Sequence, residues 1–147
     1  MHQIEVTKII EWDMGHRVPN HKNKCRNPHG HRYRLELTLK GVVNQSQGQS
    51  DEGMVVDFGD IKELLKSCIH DPLDHGFMIY EHDKLISALN EEQIEEFSFI
   101  KVSFIPTAEN IILWCYQQLS PKIPAGICIS RMRLYETPNS WADFSPL

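Results

Sequence analysis

The residues best suited to chemistry in this chain of 147 residues gather between His16 and His31. His29-Gly30-His31 puts two imidazoles two positions apart, so in an extended chain both rings leave the same face. The glycine between them lets a neighbouring backbone or ligand come close. His16 continues the even-numbered apolar face of an earlier extended stretch through Met14, and from there it can meet the pair across neighbouring strands. Three neutral imidazole nitrogens on two strands suit zinc, and two chemistries follow. With an exchangeable fourth position the ion is catalytic; with Cys25 as fourth ligand it is closed and structural. Lys22, Lys24 and Arg26 surround Cys25 and would favour its thiolate, preparing it as a base or nucleophile. His21, in the same loop, reads as a solvated histidine.

Two carboxylates further along extend the list. Asp74-His75 sets an acid beside an imidazole, the pairing of an acid/base relay when the two side chains turn toward each other. Glu136 shares a strand face with Met132 and Leu134, where a carboxylate needs a charged or multi-donor partner. Arg131 and Arg133 fall on the opposite face, whereas a ligand with two adjacent N–H donors would satisfy it. Cys68 and Cys115 lie on helix stripes and Cys128 on a strand face, so all three read as small core residues.

The elements that must position these groups follow from patterning. Ile4, Val6, Ile10 and Trp12 mark one face of a first strand, and Tyr33, Leu35, Leu37 and Leu39 one face of a second. Asn44 to Gly53 is a polar loop. Asp57 caps a helix with Ile61, Leu64, Leu65, Cys68 and Ile69 on its stripe, which Pro72 is expected to end. Phe97 to Ile105 reads as a strand, Thr107 caps a second helix to about Ser120, and Ile127 to Glu136 is a last strand. This order predicts an α+β fold, an antiparallel four-stranded sheet with two helices on one face. Its open edges invite a closed oligomer.

Composition sets the bounds. With 41% hydrophobic and 24% charged residues, residues 1–147 fit one domain that needs no disulfides. Scattered cysteines, no leader pattern and no long apolar run predict reduced thiols in a soluble cytoplasmic protein, with no membrane partner. The net charge of −5 is uneven: His16 to Arg34 holds six basic residues and no acid, so it carries +6 against −11 elsewhere. That segment is suited to an anion. Nucleic acid is the poorest candidate, because Tyr33 is the only stacking aromatic within it.

Six ordered segments carry a resemblance: Met14-Gly15-His16, Cys25 through His31, Gly53 through Phe58, Leu73-Asp74-His75, Pro106 through Asn110, and Tyr135-Glu136-Thr137. Together they resemble the 6-pyruvoyl-tetrahydropterin synthase family, most closely its bacterial branch, which makes 6-carboxy-5,6,7,8-tetrahydropterin for the queuosine precursor. The resemblance implies that His16, His29 and His31 hold Zn2+ and that Cys25 is the proton acceptor. It implies that Asp74, His75 and Glu136 complete the relay and pterin anchor, and that Thr107 and Glu109 line the pterin pocket. It implies a tunnelling fold, in which subunits join their sheets into a barrel, commonly a homohexamer, with active sites at subunit interfaces. The implied substrate is 7,8-dihydroneopterin triphosphate, and the implied activity is a zinc-dependent lyase releasing acetaldehyde and triphosphate. The alternatives are loss of triphosphate alone, as in the pyruvoyl branch, or a non-catalytic zinc-stabilised pterin-binding module. A further branch, serving folate synthesis, has glutamate in place of Cys25. This chain departs from many members at Trp12 to Gly15 and in an extended loop from Pro138 to Trp141.

Overall fold

Two strands of 14 residues each, β1 (Gln3–His16) and β2 (His29–Val42), pair antiparallel along their whole length, from Gln3 opposite Val42 to His16 opposite His29. Their alternation sorts the two faces. Trp12, Met14 and His16 on β1, with Tyr33, Leu35, Leu37 and Leu39 on β2, are buried on the inner face. On the outer face Asp13 stands opposite Arg32 and is bonded to it at 3.1 Å. The computed structural model describes residues 1–146.

The chain then forms α1 (Phe58–Leu65), a wide π turn (Lys66–His70), α2 (Asp71–Leu73), β3 (Phe77–Tyr80), α3 (Lys84–Ser87), α4 (Glu91–Glu96), β4 (Phe99–Val102), α5 (Ala108–Leu119), β5 (Cys128–Thr137) and β6 (Ser140–Phe144). Asp57 and Thr107 cap α1 and α5 as expected, accepting hydrogen bonds from the Gly59 and Asn110 amides. Those two helices bury Ile61, Leu65, Ile111, Ile112, Cys115 and Leu119 in one cluster with the inner face of the sheet.

The fold is α+β, but the sheet has six strands in the order β4-β3-β1-β2-β5-β6 and is mixed, not four-stranded and antiparallel. β3 runs parallel to both β1 and β4. It escapes periodicity because it has only four residues, with adjacent Met78 and Ile79 both buried. The stretch from Phe97 to Ile105 contracts to β4, and the extended loop after Pro138 is a tight turn leading into β6. Helical backbone also continues past Pro72 to Leu73. The π turn supplies an Asp71 amide bond to the Lys66 carbonyl just ahead of the residue that has no N–H. A bulge in β5, between the pairs Thr38–Arg131 and Leu39–Ile129, switches the strand's parity. Ile129 therefore faces the core and Cys128 is exposed, correcting its assignment as a core residue, while Cys68 and Cys115 are buried. Among the described residues no helix is long and apolar enough to cross a membrane.

Candidate metal centre and its surroundings

The antiparallel register that pairs His16 with His29 also sets Met14 opposite His31, so the last residues of β1 and the first of β2 bring three imidazoles to one corner of the sheet. One ring nitrogen from each of His16, His29 and His31 lies within 4.8 Å of the other two. Backbone carbonyls fix two of the tautomers. His16 Nδ1–H donates to the Pro106 carbonyl at 2.7 Å and His29 Nδ1–H to the Asn27 carbonyl at 2.6 Å, which leaves both Nε2 lone pairs for a metal. His16 Nε2 and His31 Nε2 are buried without any hydrogen-bond partner, an expensive state unless a cation accepts them. Burial lowers the basicity of both rings, favouring the neutral form that ligates. These residues fit a divalent metal, and Cys25 is not one of the clustered donors.

Glu136 lies beside this trio, Oε1 being 3.7 Å from His31 Nε2. Arg133, not expected to pair with Glu136, is bound in a fork to Asp143, at 2.6 and 2.9 Å. Tyr33 packs edge-on against His16 and His31 and stacks on Trp12. Burial, with the Glu136 charge second, holds its phenol well above the ordinary value. Next to the trio a cavity of about 400 Å3 is lined by His31, Arg34, Tyr135, Glu136 and Thr137, a volume suited to a small molecule. Thr107 is engaged as helix cap, one residue beyond the carbonyl that holds His16, and Glu109 is exposed on the first turn of α5.

Asp74 and His75 do turn toward each other, with His75 Nδ1 and Asp74 Oδ2 2.7 Å apart. Adjacent residues manage this because His75 adopts φ of 62°, the left-handed region. The Asp13 amide donates to Asp74 Oδ1, and this bond, followed by the one from His75, keeps the Asp74 carboxyl below the usual range. The His75 amide in turn donates to the Asp13 carbonyl. His75 lines a cavity of about 390 Å3 with Asp13, Gly15, Gly30, His31 and Arg32, so one member of the trio borders it as well.

Half of the basic segment is neutralised inside the chain. Arg17 binds Asp83, Arg32 binds Asp13 and Arg34 binds Glu36. Lys22, Lys24 and Arg26 have no acidic partner among the described residues, so the cationic surface narrows to the loop around Cys25. Sequence reasoning missed Asp83 and the Pro106 and Asn27 carbonyls. The one signal for Asp83 was a run of six cations that contains no acid of its own.

An α+β fold with a mixed sheet and a three-imidazole donor set describes a candidate metalloprotein, and comparison with known proteins identifies its family. Residues 5–146 match the 6-pyruvoyl tetrahydropterin synthase family, and the chain belongs to it. It is 37% identical over 145 residues to a protein from Rickettsia bellii named 6-carboxy-5,6,7,8-tetrahydropterin synthase, covering 95% of this chain and 99% of that one. A protein of the same name from Haemophilus influenzae is 33% identical, covering 95% and 97%. The fold matches Caenorhabditis elegans 6-pyruvoyl tetrahydropterin synthase with a TM-score of 0.70 at 19% identity, over 100% of this chain and 98% of that one.

Proposed function

We propose that the protein is a zinc-dependent lyase converting 7,8-dihydroneopterin triphosphate to 6-carboxy-5,6,7,8-tetrahydropterin, with release of acetaldehyde and triphosphate, in synthesis of the queuosine precursor. The observation that carries this reading is the trio of His16, His29 and His31, with buried Nε2 atoms lacking a partner and a carboxylate beside them. The names of the two bacterial relatives support the carboxy product over the pyruvoyl one.

Zinc held by the three Nε2 atoms would supply Lewis acidity to the hydroxyls of the substrate side chain. The chain's own residues do the rest. Glu136 accepts paired N–H donors from the pterin edge, and Thr107 and Glu109 close the pocket around the ring. Cys25 accepts a proton, assisted by the cations that flank it, and Asp74 holds His75 oriented and able to carry a proton onward. Lys22, Lys24 and Arg26 attract the triphosphate. The family resemblance puts the active site at a subunit interface, so the relay takes His75 from a second copy. A closed homo-oligomer, a hexamer by family resemblance, would supply it.

The test is incubation of the metal-loaded protein with dihydroneopterin triphosphate, followed by mass spectrometry of the pterin and an assay for acetaldehyde. A carboxypterin with acetaldehyde is expected. A pyruvoyl product without acetaldehyde would move the chain to the other branch. Cys25→Ala should keep its metal and lose turnover; loss of metal instead would make the site structural.

A further inference from the structure

Arg17 directly follows the first imidazole of the trio, and its guanidinium makes two bonds that lead in different directions. Nε donates to Asp83 Oδ2 at 2.8 Å, and Nη1 donates to the Arg26 carbonyl at 3.2 Å. Asp83 is one of only three buried polar or charged residues among those described, and its side chain is wholly inaccessible. Its second oxygen accepts from the Leu85 amide at 2.8 Å, so the carboxylate is fixed to the start of α3. The Val18 amide, one residue beyond Arg17, donates to the Cys25 carbonyl at 2.8 Å. The loop is thus gripped at two consecutive carbonyls, that of Cys25 and that of the residue after it.

We infer that Arg17 is a positioning residue for Cys25, braced by the buried carboxylate of Asp83. The inference rests on the reading of Cys25 as the proton acceptor. The loop from Arg17 to Pro28 holds one 3-10 turn, Lys24–Arg26, which buries no residue, and a few local bonds such as that from the His21 amide to the Val18 carbonyl. The polar brace ties the loop to the core through Asp83, 66 positions beyond Arg17 in sequence. The brace needs an arginine, because two acceptors in different directions call for a planar fork, whereas the compact ammonium of lysine serves as a single point charge. A misplacement of about 1 Å at a catalytic group costs on the order of 100-fold in rate, so a small sag of this loop is enough to matter.

The experiment compares wild type, Arg17→Lys and Asp83→Asn. It measures bound metal, kcat and KM for dihydroneopterin triphosphate, and iodoacetamide labelling of each cysteine across pH. Cys128, exposed and remote from the loop, is the internal reference, and buried Cys68 and Cys115 report global loosening. Arg17→Lys should lower kcat about 10- to 100-fold with KM within about twofold and metal unchanged. It should also alter the pH profile of Cys25 labelling while the other three thiols keep theirs. Asp83→Asn should act in the same direction; should that variant fail to fold, Arg17→Lys carries the test. Simultaneous opening of Cys68 and Cys115 would reduce the pair to general stability and overturn the inference. So would unchanged Cys25 labelling with unchanged kcat. If wild type turns over no pterin, the functional reading falls, and the Cys25 labelling profile still decides whether Arg17 positions the thiol.

Discussion

At the scale of single residues, the site is defined by which polar atoms have partners. Two histidines are oriented by carbonyls, and the nitrogens left over converge. The HxH spacing made two of these rings legible in the sequence, and alternation along the first strand made the third. Asp74 and His75 stood out as a candidate pair, but that their side chains meet depends on a left-handed backbone at a residue other than glycine, which the sequence does not show. The brace on Cys25 was not legible either, because nothing local links Arg17 to Asp83. Tyr33 offers a test of the same accounting. Its hydroxyl is buried beneath the trio without a hydrogen-bond partner, although the ring packs well against Trp12. An unsatisfied buried hydroxyl costs about 1–3 kcal/mol, so Tyr33→Phe should be neutral or more stable by up to about 1 kcal/mol in urea denaturation. Its metal content should be unchanged. A clear loss of stability would show that the hydroxyl has a partner of its own.

At the scale of elements, the long hairpin of β1 and β2 was readable because fourteen-residue strands repeat their alternation often enough to be unmistakable. β3 was not, being four residues long, and the strand read over Phe97 to Ile105 is only the four-residue β4; the parallel pairing of the two is something sequence alternation does not reveal. The bulge in β5 misled the reading of Cys128 for a related reason: one extra residue reverses every face assignment on one side of it. The cap of α5 was readable and bears on the metal. Thr107→Ala should cost about 1 kcal/mol of stability. Because the adjoining Pro106 carbonyl orients His16, it should also weaken metal binding about 10-fold in a chelator competition. The β5–β6 hairpin carries a pH signature. The bond from Arg133 keeps the Asp143 carboxyl below its ordinary value, so the unfolded chain takes up that proton first as pH falls. The contribution of the pair is complete above the unfolded value near pH 4 and disappears as pH drops through the lowered folded value. Asp143→Asn should remove about 0.5 kcal/mol at pH 7, the discounted worth of an exposed pair, and progressively less as pH falls below about 4.

At the scale of the whole molecule, a single chain leaves too much undone. β4 and β6 are open sheet edges, and Ile4, Ile9, Phe97 and Trp141 are exposed. The trio is built at the corner where β1 and β2 meet, whereas Asp74 and His75 follow α2, with the His75 side chain largely exposed. If neighbouring copies complete each other's sites, the two halves can be inactivated in different chains. Cys25→Ala and His75→Ala should each be inactive alone and each retain metal. Co-expressed in equal amounts and assembled at random, they should recover about one quarter of wild-type turnover, since a working interface needs an intact Cys25 from one mutant and an intact His75 from the other. Light scattering should give a closed multiple of the 17.1 kDa chain for both parents and for the mixture. If the mixture stays inactive while assembling normally, both groups act within one chain, and the shared site is wrong. A fully active monomer would dispose of it more directly, since one chain would then supply both Cys25 and His75.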